Sequence, residues 1–350
     1  MIVDIYTHIL PPKLLDELTK LAPHLGAMVD GFRGVELLYD LDTRFREMDT
    51  FGDYRQIVAL PNPPLEDLTT PAVGAELSRI ANDAMAELVT RHSDRFPAFA
   101  AAIPMHDVDA AMIELHRAVA DLGAGGIQIY TNVAGKPLDN PEFSPVFAAM
   151  AEFDLPIWLH PARPAGFSDY AAENRSRYQL WWCFGWPYET SVAMARLVFS
   201  GMFDRHPDLK IITHHLGGMI PYYEARIEHG YAGWAYASEI DNPLTCYDNP
   251  WTFADMTPAE ANATVISSLE RPLMDYFRMF YGDTALNGGV SGTRCGLDFF
   301  GFDHVVFSTD APFVSISGTI EVIKTLDLEE EQRRRVYRDN AERLLNRPLG

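Results

Sequence analysis

The sequence predicts an α/β fold, a closed (β/α)8 TIM barrel with inserted loops and C-terminal helices, filling residues 1–350 as a single metal-dependent domain. Two observations predict it. Eight short apolar runs of strand length alternate with helical runs without a break. Four of those runs end in residues that bind metals, and a closed barrel gathers the carboxyl ends of its strands on one face. An open doubly wound sheet explains the alternation equally well, but it would not bring the first and last strands together.

The first strand lies in MIVDIYTHILPP, where Met1, Val3 and Ile5 alternate and the run ends in Tyr6-Thr7-His8. The i, i+2 spacing puts Tyr6 and His8 on one face of a strand. Pro11 and Pro12 stop it and open a helix over Lys13–Lys20. Leu21–Leu38, with Pro23, Gly26, Gly31 and Gly34, reads as a long loop. Asp42–Asp49 is helical, and Arg55–Leu60 is a second strand closed by Pro61 and Pro63. Thr70-Pro71 opens a long helix to His92, carrying Leu77, Ile80, Ala81, Ala84 and Leu88 at helical spacing.

The third strand is Ala98–Ile103 with a helix over Asp109–Leu122, and the fourth is Gly126–Tyr130 with a helix over Pro141–Phe153. Leu155–His160 is the fifth, followed by a helix over Tyr188–Phe203. Leu209–Thr213 is the sixth and runs into His214-His215-Leu216-Gly217-Gly218. Arg278–Tyr281 is the seventh, and Val305–Thr309 the eighth, running into Asp310. The weakly periodic segment Tyr231–Thr264 reads as an inserted lid or an oligomer contact. Amphipathic helices over Thr319–Leu326 and Glu329–Leu345 close the outer layer.

A chain of 350 residues buries roughly three quarters of its unfolded surface and needs no staples. The net charge of −21, from 49 acids against 28 bases, argues against a nucleic acid or an anionic membrane as partner. Cys183, Cys246 and Cys295 are odd in number and lack CxxC spacing, which fits a reducing cytoplasm. No leader-like or membrane-spanning segment is evident, so the expected setting is cytoplasmic.

Reading the strand ends in order gives Tyr6 and His8, then His160, then His214 and His215, then Asp310. A lone histidine after a strand is more often structural, but four coincident strand ends point to a metal. Imidazoles with a carboxylate suit zinc, manganese or iron.

The segments Asp4-x-Tyr6-x-His8, Ile157-Trp158-Leu159-His160-Pro161, Thr213-His214-His215-Leu216-Gly217-Gly218 and Phe307-Ser308-Thr309-Asp310-Ala311-Pro312-Phe313 resemble the amidohydrolase superfamily. The nearest branch in these motifs holds aminocarboxymuconate semialdehyde decarboxylase and the resorcylate-type decarboxylases. The resemblance covers nearly the whole chain and implies the barrel and a metal face without specifying a reaction. Those relatives usually carry His or Glu where this chain has Tyr6. A tyrosinate is best matched to ferric iron, whereas an unligated Tyr6 would be a hydroxyl bonded to substrate or to a neighbour.

Tyr6 with the His214-His215 pair further resembles the TIM-barrel nonheme diiron monooxygenases of platensimycin and platencin biosynthesis. That resemblance implies an oxidoreductase with two iron ions, dioxygen, an electron donor and a bulky apolar, CoA-linked diterpenoid-type acid. Tyr6, His8, His160, His215 and Asp310 carry over as ligands, with His214 as a further candidate. His215, six residues before Pro221, matches the superfamily's active-site histidine, while His214 on an extended segment should point the other way.

Between His160 and Glu189 the chain holds Tyr178, Trp181, Trp182, Phe184, Trp186 and Tyr188. These rings are either a hydrophobic plug or the wall of a large apolar pocket. Arg163, Arg175, Arg177 and Arg226 are candidates for a carboxylate or for the phosphates of a CoA carrier. Glu189 is a candidate acceptor behind a ligating histidine or a first-turn acid. Three readings follow. The leading one is a diiron monooxygenase; the alternative is nonoxidative decarboxylation of an aromatic or unsaturated acid, or hydrolysis, with one zinc or manganese on His8, His160 and Asp310. There Asp310 or His215 moves the proton. The third is a binding protein without metal. A homo-oligomer is compatible with all three.

Overall fold

The computed structural model describes residues 1–237 and 269–350, with residues 231–237 described by their backbone alone. Eight barrel strands follow one another in chain order: β1 (Ile2–His8), β2 (Tyr54–Ala59), β3 (Ala98–Ala102), β4 (Gly126–Tyr130), β5 (Ile157–His160), β6 (Ile211–Thr213), β7 (Tyr281–Asp283) and β8 (Val305–Val306). Each pairs with the next in parallel. The barrel closes where the Ile5 N–H donates to the Phe307 carbonyl at 2.9 Å and the His8 N–H to the Ala311 carbonyl at 2.7 Å.

Asp4 clamps that seam. It is fully buried, accepts from the Thr309 N–H at 3.1 Å, and takes the Thr309 and Tyr54 hydroxyls at 2.5 Å each. One carboxylate thus joins β1, β2 and the chain leaving β8, immediately before Asp310. Burial pushes it up to about 7, against the pull of the hydrogen bonds from Thr309 and Tyr54. Inside the barrel Val3, Ile5, Ile57, Ile212 and Val306 pack with Trp158, all buried, and Ala98 and Ala100 of β3 keep this layer narrow. The Trp158 indole N–H donates to the Ile5 carbonyl at 2.9 Å, so the large ring carries no orphaned donor into the core.

The outer layer follows from helix signals in the sequence. Leu41–Asp49 is capped by Asp40, which accepts from the Asp42 and Thr43 N–H groups at 3.0 and 3.3 Å. Its Arg44 is buried and donates to the His8 carbonyl at 2.7 Å, pinning the end of β1. Pro71–Arg91 starts on its proline and buries Leu77, Ile80, Ala81 and Ala84.

Several boundaries differ from the sequence expectation. Residues 21–38 are not an open loop: Pro23–Leu25, Gly26–Arg33 and Glu36–Leu38 are helical turns that sink Val29 and Leu38 into the core. The seventh strand is Tyr281–Asp283, because Pro272 opens a helix over Leu273–Phe277 and Arg278 caps it. The helix after β5 runs Gly185–Phe199 and stops at Ser200-Gly201, where Gly201 has φ +72°. A helix over Val290–Phe300 was missed because glycines interrupt its apolar pattern. Its Gly296 faces Leu216, whose side chain would lie 2.8 Å from an added Cβ. The expected helix Glu329–Leu345 contains a π-turn over Arg335–Asp339. Of the expected lid Tyr231–Thr264, the first residues continue the helix Glu224–Ala237, and the remainder, 238–264, lies outside the described residues. Among the described residues no helix is long and apolar enough to cross a membrane.

Candidate metal centre

Donor atoms of His8, His160 and Asp310 lie within 4.8 Å of one another, and so do those of His214, His215 and Asp310. The backbone fixes which nitrogens face inward. His8 donates Nδ1–H to the Leu60 carbonyl at 3.0 Å, and His160 donates Nδ1–H to the Pro161 carbonyl at 2.7 Å. Each ring therefore presents Nε2 to the barrel mouth. His8 Nε2 stands 2.8 Å from Asp310 Oδ1, two acceptors face to face unless a proton or a cation lies with them. Asp310 itself has φ +66°, a left-handed turn that aims its carboxylate back across the mouth.

His214 does not point away from the site. The chain leaves the extended conformation at His215 (φ +57°) and Leu216 (φ +48°), which brings both imidazoles to the same side with ring centroids 3.9 Å apart. Gly218 (φ +61°) continues the turn, and an added Cβ there would meet the Pro187 carbonyl oxygen at 2.4 Å. His214 donates Nδ1–H to Asp283 Oδ2 at 2.5 Å, and its Nε2, 3.6 Å from Asp310, has no hydrogen-bond partner. Asp283 also accepts the His215 N–H at 3.0 Å. Asp283 was not anticipated; the signal was its place at the end of a strand, hidden by the three-residue error in β7.

Burial pushes the His214 imidazole down, but the carboxylates of Asp283 and Asp310 outweigh it and raise the ring to about 10. Burial would raise Asp310, yet the His214 and His8 imidazoles beside it hold it well below the usual carboxylate range. Burial, reinforced by His214, keeps His160 and His215 neutral by lowering both well below the ordinary imidazole value. The cluster is thus an anionic Asp310 carboxylate beside a charged His214, with His8 and His160 each tied through Nδ1 to a backbone carbonyl. This donor set fits a divalent ion at His8, His160 and Asp310.

Tyr6 lies among these rings, with its centroid 5.1 Å from His8 and 4.9 Å from His214. Its hydroxyl has another partner, donating to Gln128 Oε1 at 2.9 Å. Burial pushes the phenol well above its ordinary value, so it stays protonated. Gln128 Nε2 donates to the same Leu60 carbonyl that fixes His8, at 3.2 Å, and to Tyr130. Tyr6 is in this structure a buried hydroxyl supporting the site, in place of the expected phenolate.

Two lobes open over the cluster, one of about 450 Å³ reaching His8, His160 and Asp310, the other of about 460 Å³ reaching His215 and Asp310. Trp181 and Trp186 wall both, Trp182 walls the second, and Trp186 stands parallel to His215 at 6.3 Å. Met28 and Phe32, from the segment expected to be loop, line the first lobe. The other candidates fall elsewhere. Glu189 accepts from Arg163 at 2.8 Å and is not on a histidine, so Arg163 reaches the first lobe with its charge already paired. Arg175, Arg177 and Tyr178 are exposed, Arg177 pairing with Glu173. Arg226 lines a separate groove with Tyr188 and Tyr223.

The amidohydrolase family model matches residues 40–347, and the chain belongs to that family. Within it the chain falls in the decarboxylase-like branch. It is 32% identical over 311 residues to gamma-resorcylate decarboxylase of Rhizobium sp. (strain MTP-10005), covering 87% of this chain and 86% of the relative. It is 30% identical over 257 residues to 2-amino-3-carboxymuconate-6-semialdehyde decarboxylase of Dictyostelium discoideum, covering 69% and 70%. The solved dihydroxybenzoic acid decarboxylase of Polaromonas sp. JS666, with bound manganese and the inhibitor 2-nitroresorcinol, superposes with a TM-score of 0.73 at 25% identity over 99% of this chain and 96% of that one.

These similarities overturn the leading sequence reading. The relatives are named for decarboxylation, which points to a lyase, and the resemblance to a diiron monooxygenase is not supported. Two irons, dioxygen and an electron donor fall with it. The alternative, a single-metal decarboxylase, agrees with both the relatives and the donor geometry.

Proposed function

We propose that the chain is a divalent-metal-dependent nonoxidative decarboxylase of an aromatic carboxylic acid, holding manganese or zinc on His8, His160 and Asp310. The observation that carries it is the convergence of two backbone-tethered imidazoles and one carboxylate at the floor of an aromatic-walled cavity. A divalent ion bound there supplies positive charge that holds and polarises the oxygens of the acid. Trp181, Trp186 and Phe313 stack on the ring and keep water from it. Asp310 and His215, both at the mouth, stand where a proton taken up from solvent can be relayed to the ring carbon that bears the carboxylate. Carbon dioxide then leaves with the carbon–carbon bond electrons returned to the ring, so one proton is consumed and no electrons are exchanged.

The test is anaerobic turnover of gamma-resorcylate and related hydroxybenzoates by manganese-loaded protein without reductant. Carbon dioxide release, with deuterium at the vacated ring carbon in D2O, is expected. Failure to release carbon dioxide from any of these acids overturns the reading.

A further inference from the structure

The two lobes meet at one place. Asp310, Trp181, Trp186 and Phe313 border both, whereas His8 and His160 belong to the first lobe alone and His215 to the second. Each lobe, at about 450 and 460 Å³, falls by itself in the range of roughly 300–1,000 Å³ that encloses a drug-sized ligand. A single-ring hydroxy acid is far smaller than that. Bound by its carboxylate over His8, His160 and Asp310 it would occupy part of the first lobe and leave the second open.

The second lobe is built to cover apolar surface. Trp182, Pro187, Leu286, Phe313 and Val314 line it, and Trp182 and Phe313 are 37% and 49% exposed. Large apolar groups gathered around one concave mouth mark a binding surface. The polar groups there are Cys183, Asn287, His215 and Asp310, and among the described residues lining this lobe there is no Lys or Arg. Among the described residues, a phosphate-bearing carrier finds no cation to pair with in this lobe.

We propose that the preferred substrate is a hydroxyaryl acid carrying a second, uncharged apolar ring. The carboxylate-bearing ring sits in the first lobe, and the second ring passes Trp186 and Phe313 to rest between Trp182, Leu286 and Val314. This rests on the decarboxylase reading of the same site and adds the substrate class to it.

The experiment compares 2,6-dihydroxybenzoate with its 3-phenyl and 4-phenyl derivatives on manganese-loaded full-length protein, reading both carbon dioxide release and calorimetric Kd. At least one phenyl derivative is expected to bind at least tenfold more tightly than the single-ring acid. Val314→Trp, and separately Leu286→Phe in case the first variant misfolds, should cut that preference at least tenfold by filling the second lobe. Both phenyl derivatives binding more weakly than the single-ring acid, or a preference untouched by either substitution, overturns the proposal. If the acids bind with the expected preference but none loses carbon dioxide, the decarboxylase reading fails while the two-lobed site stands.

Discussion

Asp283 and His214 form a pair sealed from solvent, the imidazole Nδ1–H donating to the carboxylate at 2.5 Å while Nε2 of the same ring faces Asp310 at 3.6 Å. Because Asp283 also accepts the His215 N–H, one carboxylate at the end of β7 orients both histidines that follow β6. Carboxylates behind a site's imidazoles are commonly worth about 10–100-fold in metal affinity or activity. Asp283→Asn keeps the shape and removes the charge, so turnover of an aromatic acid should fall by about that factor with the circular dichroism spectrum unchanged. Activity within twofold of the parent protein would show that Asp283 only fills space.

His8→Ala and His160→Ala should each strip the bound ion while leaving the barrel folded. Both imidazoles sit above the packed layer that Trp158, Ile5 and Val306 make, and strand ends contribute less to the core than the layers beneath. Metal content after dialysis, read beside the melting temperature, checks this. Stoichiometric metal in both variants would mean that the ion binds elsewhere.

The barrel was legible because each of its strands is a short apolar run punctuated by Pro, Gly or a ligand residue. His8, His160 and Asp310 were legible for the same reason: a strand end in a barrel is a geometric address. Asp283 was lost because Met279-Phe280-Tyr281 continues the apolar run of the preceding helix, so periodicity alone set the strand three residues early. His214 was misdirected because alternation assumes an extended chain, and the left-handed turn at His215 breaks that assumption. Met28 and Phe32 were hidden in a glycine-rich stretch whose helical turns are held by burial of Val29 and Leu38, a tertiary effect that local propensity does not record.

Tyr6→Phe should keep its metal and show no visible band that distinguishes it from the parent protein. The hydroxyl donates to Gln128 and stays protonated, so its loss removes one buried hydrogen bond and leaves Gln128 Oε1 unpaired. The cost is about 1–3 kcal/mol of stability, readable by urea unfolding. Loss of stoichiometric manganese in this variant would instead make Tyr6 a ligand.

Glu66 gives the chain a pH-dependent stability. Its carboxyl is buried beside Tyr130 at a small internal cavity and accepts from the Met105 N–H at 3.2 Å, with no cation paired to it among the described contacts. Burial pushes it up from 4.5 to about 7, the Met105 hydrogen bond pulling only partly the other way. The folded protein therefore holds this proton where the unfolded chain has released it. A raised pKa contributes stability that is fully present below the unfolded value and is lost as pH rises through the folded value, here between about 4.5 and 7. The loss is on the order of 3 kcal/mol for this group. Glu66→Gln keeps an acceptor for the Met105 N–H and cannot ionise, so the variant should gain stability relative to the parent as pH rises from 5 to 7.5. Urea unfolding across that range, run on both proteins in parallel, reads the difference, and two curves that stay parallel would show that Glu66 titrates alike in the folded and unfolded chain.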